Sequence, residues 1–154
     1  MEDTLRRMRE KRDDRGFTLI ELLVVVVIIG VLVAIAIPMY LNYRKGAANK
    51  SAESDIRGAI SAVEQFYTDN SNAFPADATS AVSTNLVFAG ITGAPQTATV
   101  SPGNTLGFKN NGATYVLCAF NADGGQIYVY NSSSGGAVKK SGQNSLANCL
   151  ANGN

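Results

Sequence analysis

Gly16-Phe17-Thr18-Leu19-Ile20-Glu21, an apolar run from Leu22 to Ile37, and then Pro38 decide the reading of this chain. Phe17 to Leu41 is about 25 residues, enough at ~1.5 Å per residue to cross a ~30 Å hydrocarbon layer as a helix. Val and Ile dominate the run, but it is far longer than an ordinary strand, so a helix in lipid is the reading. It carries one charge, Glu21. A carboxylate inside such a segment costs roughly 2.5–3.5 kcal/mol on insertion scales, so it needs a partner or a purpose.

The stretch before it is of opposite character. Residues 1–16 hold Arg6, Arg7, Arg9, Lys11, Arg12 and Arg15 interleaved with acids, and are too polar to pack. Basic residues ahead of a first apolar segment predict a cytoplasmic N-terminus, with the remainder outside. Two other readings stand beside this one. Ala34-Ile35-Ala36 is formally a cleavage site for a secretory signal, although Glu21 and the length of the run argue against secretion. A plain membrane anchor with an incidental Glu is the other. The chain has 154 residues and no His. It therefore lacks the commonest general base and zinc ligand, and no nucleophile–base pair or metal cluster is visible. An enzyme is not expected, nor a cofactor or bound metal. The balance of +1 leaves no basic stripe for specific nucleic-acid recognition.

After Pro38, Ala48, Ala52, Ile56, Ala59, Ile60, Val63, Phe66 and Tyr67 recur every three or four residues, with Lys50, Glu53, Arg57, Glu64 and Asp69 between them. That period predicts an amphipathic continuation of the helix to about Asn70, its apolar stripe on a sheet. Gly30 weakens helix propensity and Pro38 removes a hydrogen bond to Ala34, so the helix is expected to kink there. Asp69-Asn70-Ser71-Asn72 breaks it. Residues 76–112 read as a long connection with a short helical or strand piece near Leu86-Val87-Phe88. Residues 113–120 and 126–131 read as a β-hairpin around Asn121-Ala122-Asp123-Gly124-Gly125. Because two strands alone are marginal, a further one is expected from 80–112 or 137–150.

Cys118 and Cys149 are the two cysteines. Outside the cytoplasm such a pair reads as a disulfide; two buried free thiols are the alternative. The closed loop of about 32 residues would stabilise by roughly 3.7 kcal/mol in the chain-entropy model. Lys139-Lys140 reads as a solvated turn, or as a weak contact for DNA or anionic surfaces that an assembly would repeat many times. Asn49-Lys50-Ser51 and Asn131-Ser132-Ser133 match a glycosylation pattern that is common by chance.

The run from Gly16 to Gly30, followed by Pro38, resembles the N-terminal signature of type IV prepilins and their pseudopilin relatives, specifically over about 30 residues and more loosely to about Pro75. The resemblance implies an α+β type IV pilin fold: a long N-terminal helix on a small antiparallel sheet, with a C-terminal region bounded by Cys118 and Cys149. It implies a leader at 1–16, a membrane and polymerisation helix at 17–41, and at 42–154 the helix continuation with the β head. A prepilin peptidase would cut between Gly16 and Phe17 and methylate the new Phe17 amine. Glu21 would pair with that amine on a neighbouring subunit, with pairing inside one chain, across one helical turn, as the alternative, and the segment from Gly30 to Pro38 would unwind in the packed filament. The expected function is a structural pilin of a type IV pilus; the alternative is a pseudopilin of a type II secretion or competence system. Expected partners are identical subunits, the peptidase, the membrane, and the pilus assembly platform with its ATPase. The precursor would sit in the cytoplasmic membrane, head outward, and the assembled fibre outside the cell.

Overall fold

The computed structural model describes residues 17–90 and 93–154. The expected leader and Gly16 lie outside the described residues. The chain divides into two units, one ending at Tyr40 and the other spanning Leu41–Asn154. Helix α1, Leu19–Asp69, runs through both. It starts two residues after Phe17 because Thr18 acts as its cap. It continues helical through Gly30 and Pro38, and it ends where Ser71 and Asn72 take left-handed φ values of 56° and 60°.

The second unit has three layers. Strands β1 (Ala78–Thr79), β2 (Leu86–Phe88), β3 (Gln96–Ala98), β4 (Asn104–Asn110), β5 (Tyr115–Asn121), β6 (Ile127–Asn131) and β7 (Lys139–Lys140) precede a short helix α2, Leu146–Asn152. Five form an antiparallel sheet ordered β1-β4-β5-β6-β7, while β2 and β3 pair separately. The expected hairpin is β5–β6, with Leu117 opposite Tyr130 and Ala119 opposite Tyr128.

Alternation along β5 sorts the two faces, since side chains in a strand point to opposite sides in turn. Tyr115, Leu117 and Ala119, with Leu106, Phe108 and Tyr128, join Ala52, Ile56, Ala59, Val63 and Phe66 of α1 in the main core. Burying a side chain such as Ile56 or Phe66 contributes about 1.5–3 kcal/mol. Val116, Cys118, Ile127 and Val129 face the other way, under Cys149, Leu146 and Leu150 of α2. Leu86, Phe88 and Ala98 of the small ribbon complete the first core.

β4 is the strand that the composition of residues 76–112 concealed. Its sequence, Asn-Thr-Leu-Gly-Phe-Lys-Asn, has no β-branched run, and Gly107 weakens any strand pattern. Packing on both faces fixes it. Leu106 and Phe108 enter the main core, and a Cβ on Gly107 would lie 2.6 Å from Leu150 Cδ1, so the missing side chain is what lets α2 close on the sheet. Helix α2 was likewise not expected. Ser145 caps it by accepting from the Asn148 N–H, and Gly153 closes it at φ 69° with its N–H on the Cys149 carbonyl. Ser145 and Gly153 are ordinary helix start and stop residues.

Cys118 and Cys149 form a disulfide, both fully buried. The bond ties the centre of β5 to α2 across 31 residues of sequence. Replacing both with Ala is expected to lower the stability of the head by roughly 3.7 kcal/mol on loop entropy. Thermal melts of the full chain in detergent, with and without the bridge, check this; unchanged melting would contradict it.

A buried carboxylate sits where the apolar stripe of α1 meets the sheet. Asp55 is 6% exposed. Its Oδ2 accepts from the Ser101 N–H at 2.8 Å and from Asn104 Nδ2 at 2.6 Å, and its Oδ1 accepts from Ser101 Oγ at 2.7 Å. Asn104 passes the network on, taking a bond from Asn121 Nδ2 at 2.6 Å. Helix, β4 and the end of β5 are thereby pinned at one point. On the distal side, Tyr115 donates its hydroxyl to Glu64 at 2.7 Å, and burial together with that bond pushes its phenol well above the usual value.

Surface carboxylates add a smaller, pH-dependent increment. Lys109 at 2.5 Å and the Asn110 N–H at 2.7 Å hold the Asp77 carboxyl below the usual range, and Lys50 with Arg57 do the same for Glu53. Depressed folded values mean that the stabilisation is present above the unfolded carboxylate pKa, about 4, and is lost as pH falls through the folded value. Melting temperature is therefore expected to drop on acidification below about pH 4. The double variant Asp77→Asn, Glu53→Gln should show a shallower drop in the same melts.

Candidate functional site: the N-terminal helix

The described part of the first unit, residues 17–40, is an apolar helix with a polar start. Every residue from Phe17 to Leu41 is exposed, and none of the most apolar 18-residue window is covered by the chain itself. Among the described residues, α1 is the one helix long and apolar enough to cross a membrane. A monomeric soluble protein rarely exposes a contiguous apolar patch above a few hundred Å². Lipid or other protein must cover this surface.

Glu21 lies in the first turn. Its Oε2 accepts from the Thr18 backbone N–H at 2.8 Å and from Thr18 Oγ1 at 2.8 Å, while the Glu21 N–H donates to Thr18 Oγ1 at 3.3 Å. This is a capping box, each residue satisfying a donor of the other. The carboxylate also faces the positive end of the helix dipole. Thr18 is thus a residue that the sequence reading missed, although Thr18-x-x-Glu21 ahead of an apolar run is the standard signal. Phe17 precedes the helix, four residues before Glu21, and is 79% exposed. Both bonds to the Glu21 carboxylate end on Oε2, and among the described residues Oε1 takes none.

Gly30 and Pro38 sit within the same exposed helix, and a Cβ on Gly30 would meet nothing within 4 Å. Both positions are exposed among the described residues. Cys118 and Cys149 lie in the second unit. Lys139 and Lys140 form β7, an exposed edge strand, where charge also guards against unwanted strand pairing. Asn49 and Asn131, in the two glycosylation patterns, have side chains committed to Gln126 N–H and to Gly153 O with Ser133.

Comparison with known proteins bears on this helix first. Residues 11–37 match the prokaryotic N-terminal methylation motif. Over 134 residues the chain is 34% identical to the fimbrial protein EcpC of Eikenella corrodens, covering 73% of this chain and 87% of that one. It is 43% identical over 67 residues to the type IV major pilin protein PilE of Neisseria gonorrhoeae, spanning 40% of that protein's length. It is 40% identical over 63 residues to the type II secretion system core protein G of Escherichia coli K12, spanning 43% of it. No solved structure matches the chain. The exposed apolar helix, the sheet with its disulfide and the match over most of a fimbrial protein agree: this chain belongs to the type IV pilin family, with a pilin or pseudopilin role.

Proposed function

We propose that the chain is the structural subunit of a type IV pilus, made as a membrane precursor and polymerised through residues 17–41. A prepilin peptidase removes residues 1–16 at Gly16-Phe17 and methylates the Phe17 amine. Before assembly the helix spans the cytoplasmic membrane with the head, 42–154, outside; afterwards sister helices replace the lipid around it. Assembly requires the platform and ATPase that extract subunits from the membrane. The observation that carries this reading is a fully exposed apolar helix with a single carboxylate at its start.

Cleavage turns the Phe17 amide into an α-amino cation near the carboxylate. Two unit charges 4 Å apart attract by about 4 kcal/mol at an effective dielectric of 20, and each is costly alone in an apolar layer. Thr18 donates to Oε2 of Glu21, and the amine of a staggered neighbour takes Oε1. Packing of Val, Ile and Leu is non-specific, so this pair sets the register. Gly30 and Pro38, both exposed, mark the stretch where α1 unwinds when helices pack.

A pseudopilin of a secretion or competence system is the second reading. The match to protein G favours it, but spans 41% of this chain, whereas the fimbrial match spans 73%. The disulfide-bounded C-terminal region also supports a pilin. Electron microscopy of sheared cell-surface material, labelled with antibody to the head, separates the two. Long fibres are expected; fibres too short to leave the envelope would favour the pseudopilin.

A further inference from the structure

Past the apolar run, the first cations after Arg15 are Arg44 and Lys45. At ~1.5 Å per residue they stand about 5 Å beyond Leu41 along the helix, the depth of a lipid headgroup. They line a cleft of about 180 Å³ with Leu41 and Asp123. The Arg44 guanidinium reaches Asp123 at 3.4 Å, with both side chains more than half exposed, a geometry of little energetic weight. Lys45 is exposed and has no ion-pair partner among the described residues. Tyr43, 77% exposed, adds an amphipathic ring of the kind that sits at membrane interfaces. On the proposed topology this pair lies on the exported side, where the positive-inside rule disfavours basic residues. A cationic pair held there against that bias is expected to meet an anion.

We propose that Arg44 and Lys45 bind the phosphate of an anionic phospholipid headgroup in the outer leaflet, with Leu41 against the glycerol and upper acyl carbons. The inference rests on the membrane-precursor reading above. The phosphate displaces Asp123 from Arg44 and bridges it to Lys45, so the head stands at a fixed height on the bilayer until the subunit is withdrawn. A phosphate bound between two cations gains shorter charge-assisted hydrogen bonds than the single 3.4 Å bond from Arg44 to Asp123.

The test uses the full chain in nanodiscs of phosphatidylcholine containing about one-fifth photoactivatable phosphatidylglycerol, with crosslinks mapped by mass spectrometry. Crosslinks should centre on residues 41–45. They should fall at least fivefold in Arg44→Ala, Lys45→Ala, rise about twofold in Asp123→Asn, and stay unchanged in Lys139→Ala, Lys140→Ala. Equal labelling by a photoactivatable phosphatidylcholine, or no loss in the Arg44/Lys45 variant, overturns the proposal. Displacement by millimolar inorganic phosphate would make the ligand a soluble anion and overturn the lipid assignment. Alkaline extraction of the same samples distinguishes the two levels. A chain stripped from the discs removes the membrane reading as well, while an inserted chain with undirected crosslinks removes only this inference.

Discussion

Glu21→Ala is expected to leave the chain in the membrane and to reduce surface fibres at least about tenfold, because assembly then places an unpaired Phe17 amine in an apolar layer. The capping box makes a sharper set of variants available. Thr18→Ala removes the cap, at about 1 kcal/mol of helix stability, but keeps the charge; it should still assemble. Glu21→Gln keeps an acceptor for Thr18 but removes the charge, and should assemble nearly as poorly as Glu21→Ala. Fibre yield by shearing and immunoblotting, with membrane content as control, reads all three. If Thr18→Ala were the defective variant and Glu21→Gln assembled normally, Glu21 would be a helix cap and nothing more.

Asp55→Ala is expected to cost the head about 3–5 kcal/mol, the largest single-residue effect on folding in this chain. The substitution leaves the half-buried Ser101 N–H and hydroxyl without their Asp55 acceptor and takes one of two acceptors from the buried Asn104 Nδ2. Bonds to an ionised acceptor carry about 1.5–3 kcal/mol each, and stranded buried donors keep their desolvation cost. At about 4 °C per kcal/mol the melting temperature should fall by about 12–20 °C. Asp55→Asn keeps one acceptor and should lose less than half as much. Near-ultraviolet circular dichroism of the tyrosine-rich core follows both. A loss below 1 kcal/mol in Asp55→Ala would mean that the network positions nothing.

Asp55 also shows where sequence reading reached its limit. The period of Ala52, Ile56, Ala59, Val63 and Phe66 identified the buried face of α1, because an apolar stripe has no other explanation. Asp55 falls on that same face, and its fitness to be there depends on Ser101 and Asn104, brought to it by chain folding from 46 and 49 residues away. Patterns along the chain hold no trace of such a partner. β4 was hidden for a related reason. Its strand character comes from being sandwiched between α1 and α2, and local propensity points elsewhere at Gly107. β5 and β6 were legible because β-branched and aromatic residues flank a Gly-Gly turn. At the N-terminal helix the charge and the apolar run were legible, since both are local. Thr18 was legible too, as a capping signal, but the unusual Glu21 drew the reading to distant partners before the near one.

The mature N-terminus measured by mass spectrometry on fibres sheared from cells tests the central claim most directly. A chain beginning at Phe17 and carrying one additional methyl group is the predicted result. A chain that still begins at Met1, or that begins at Ile37, would contradict the account.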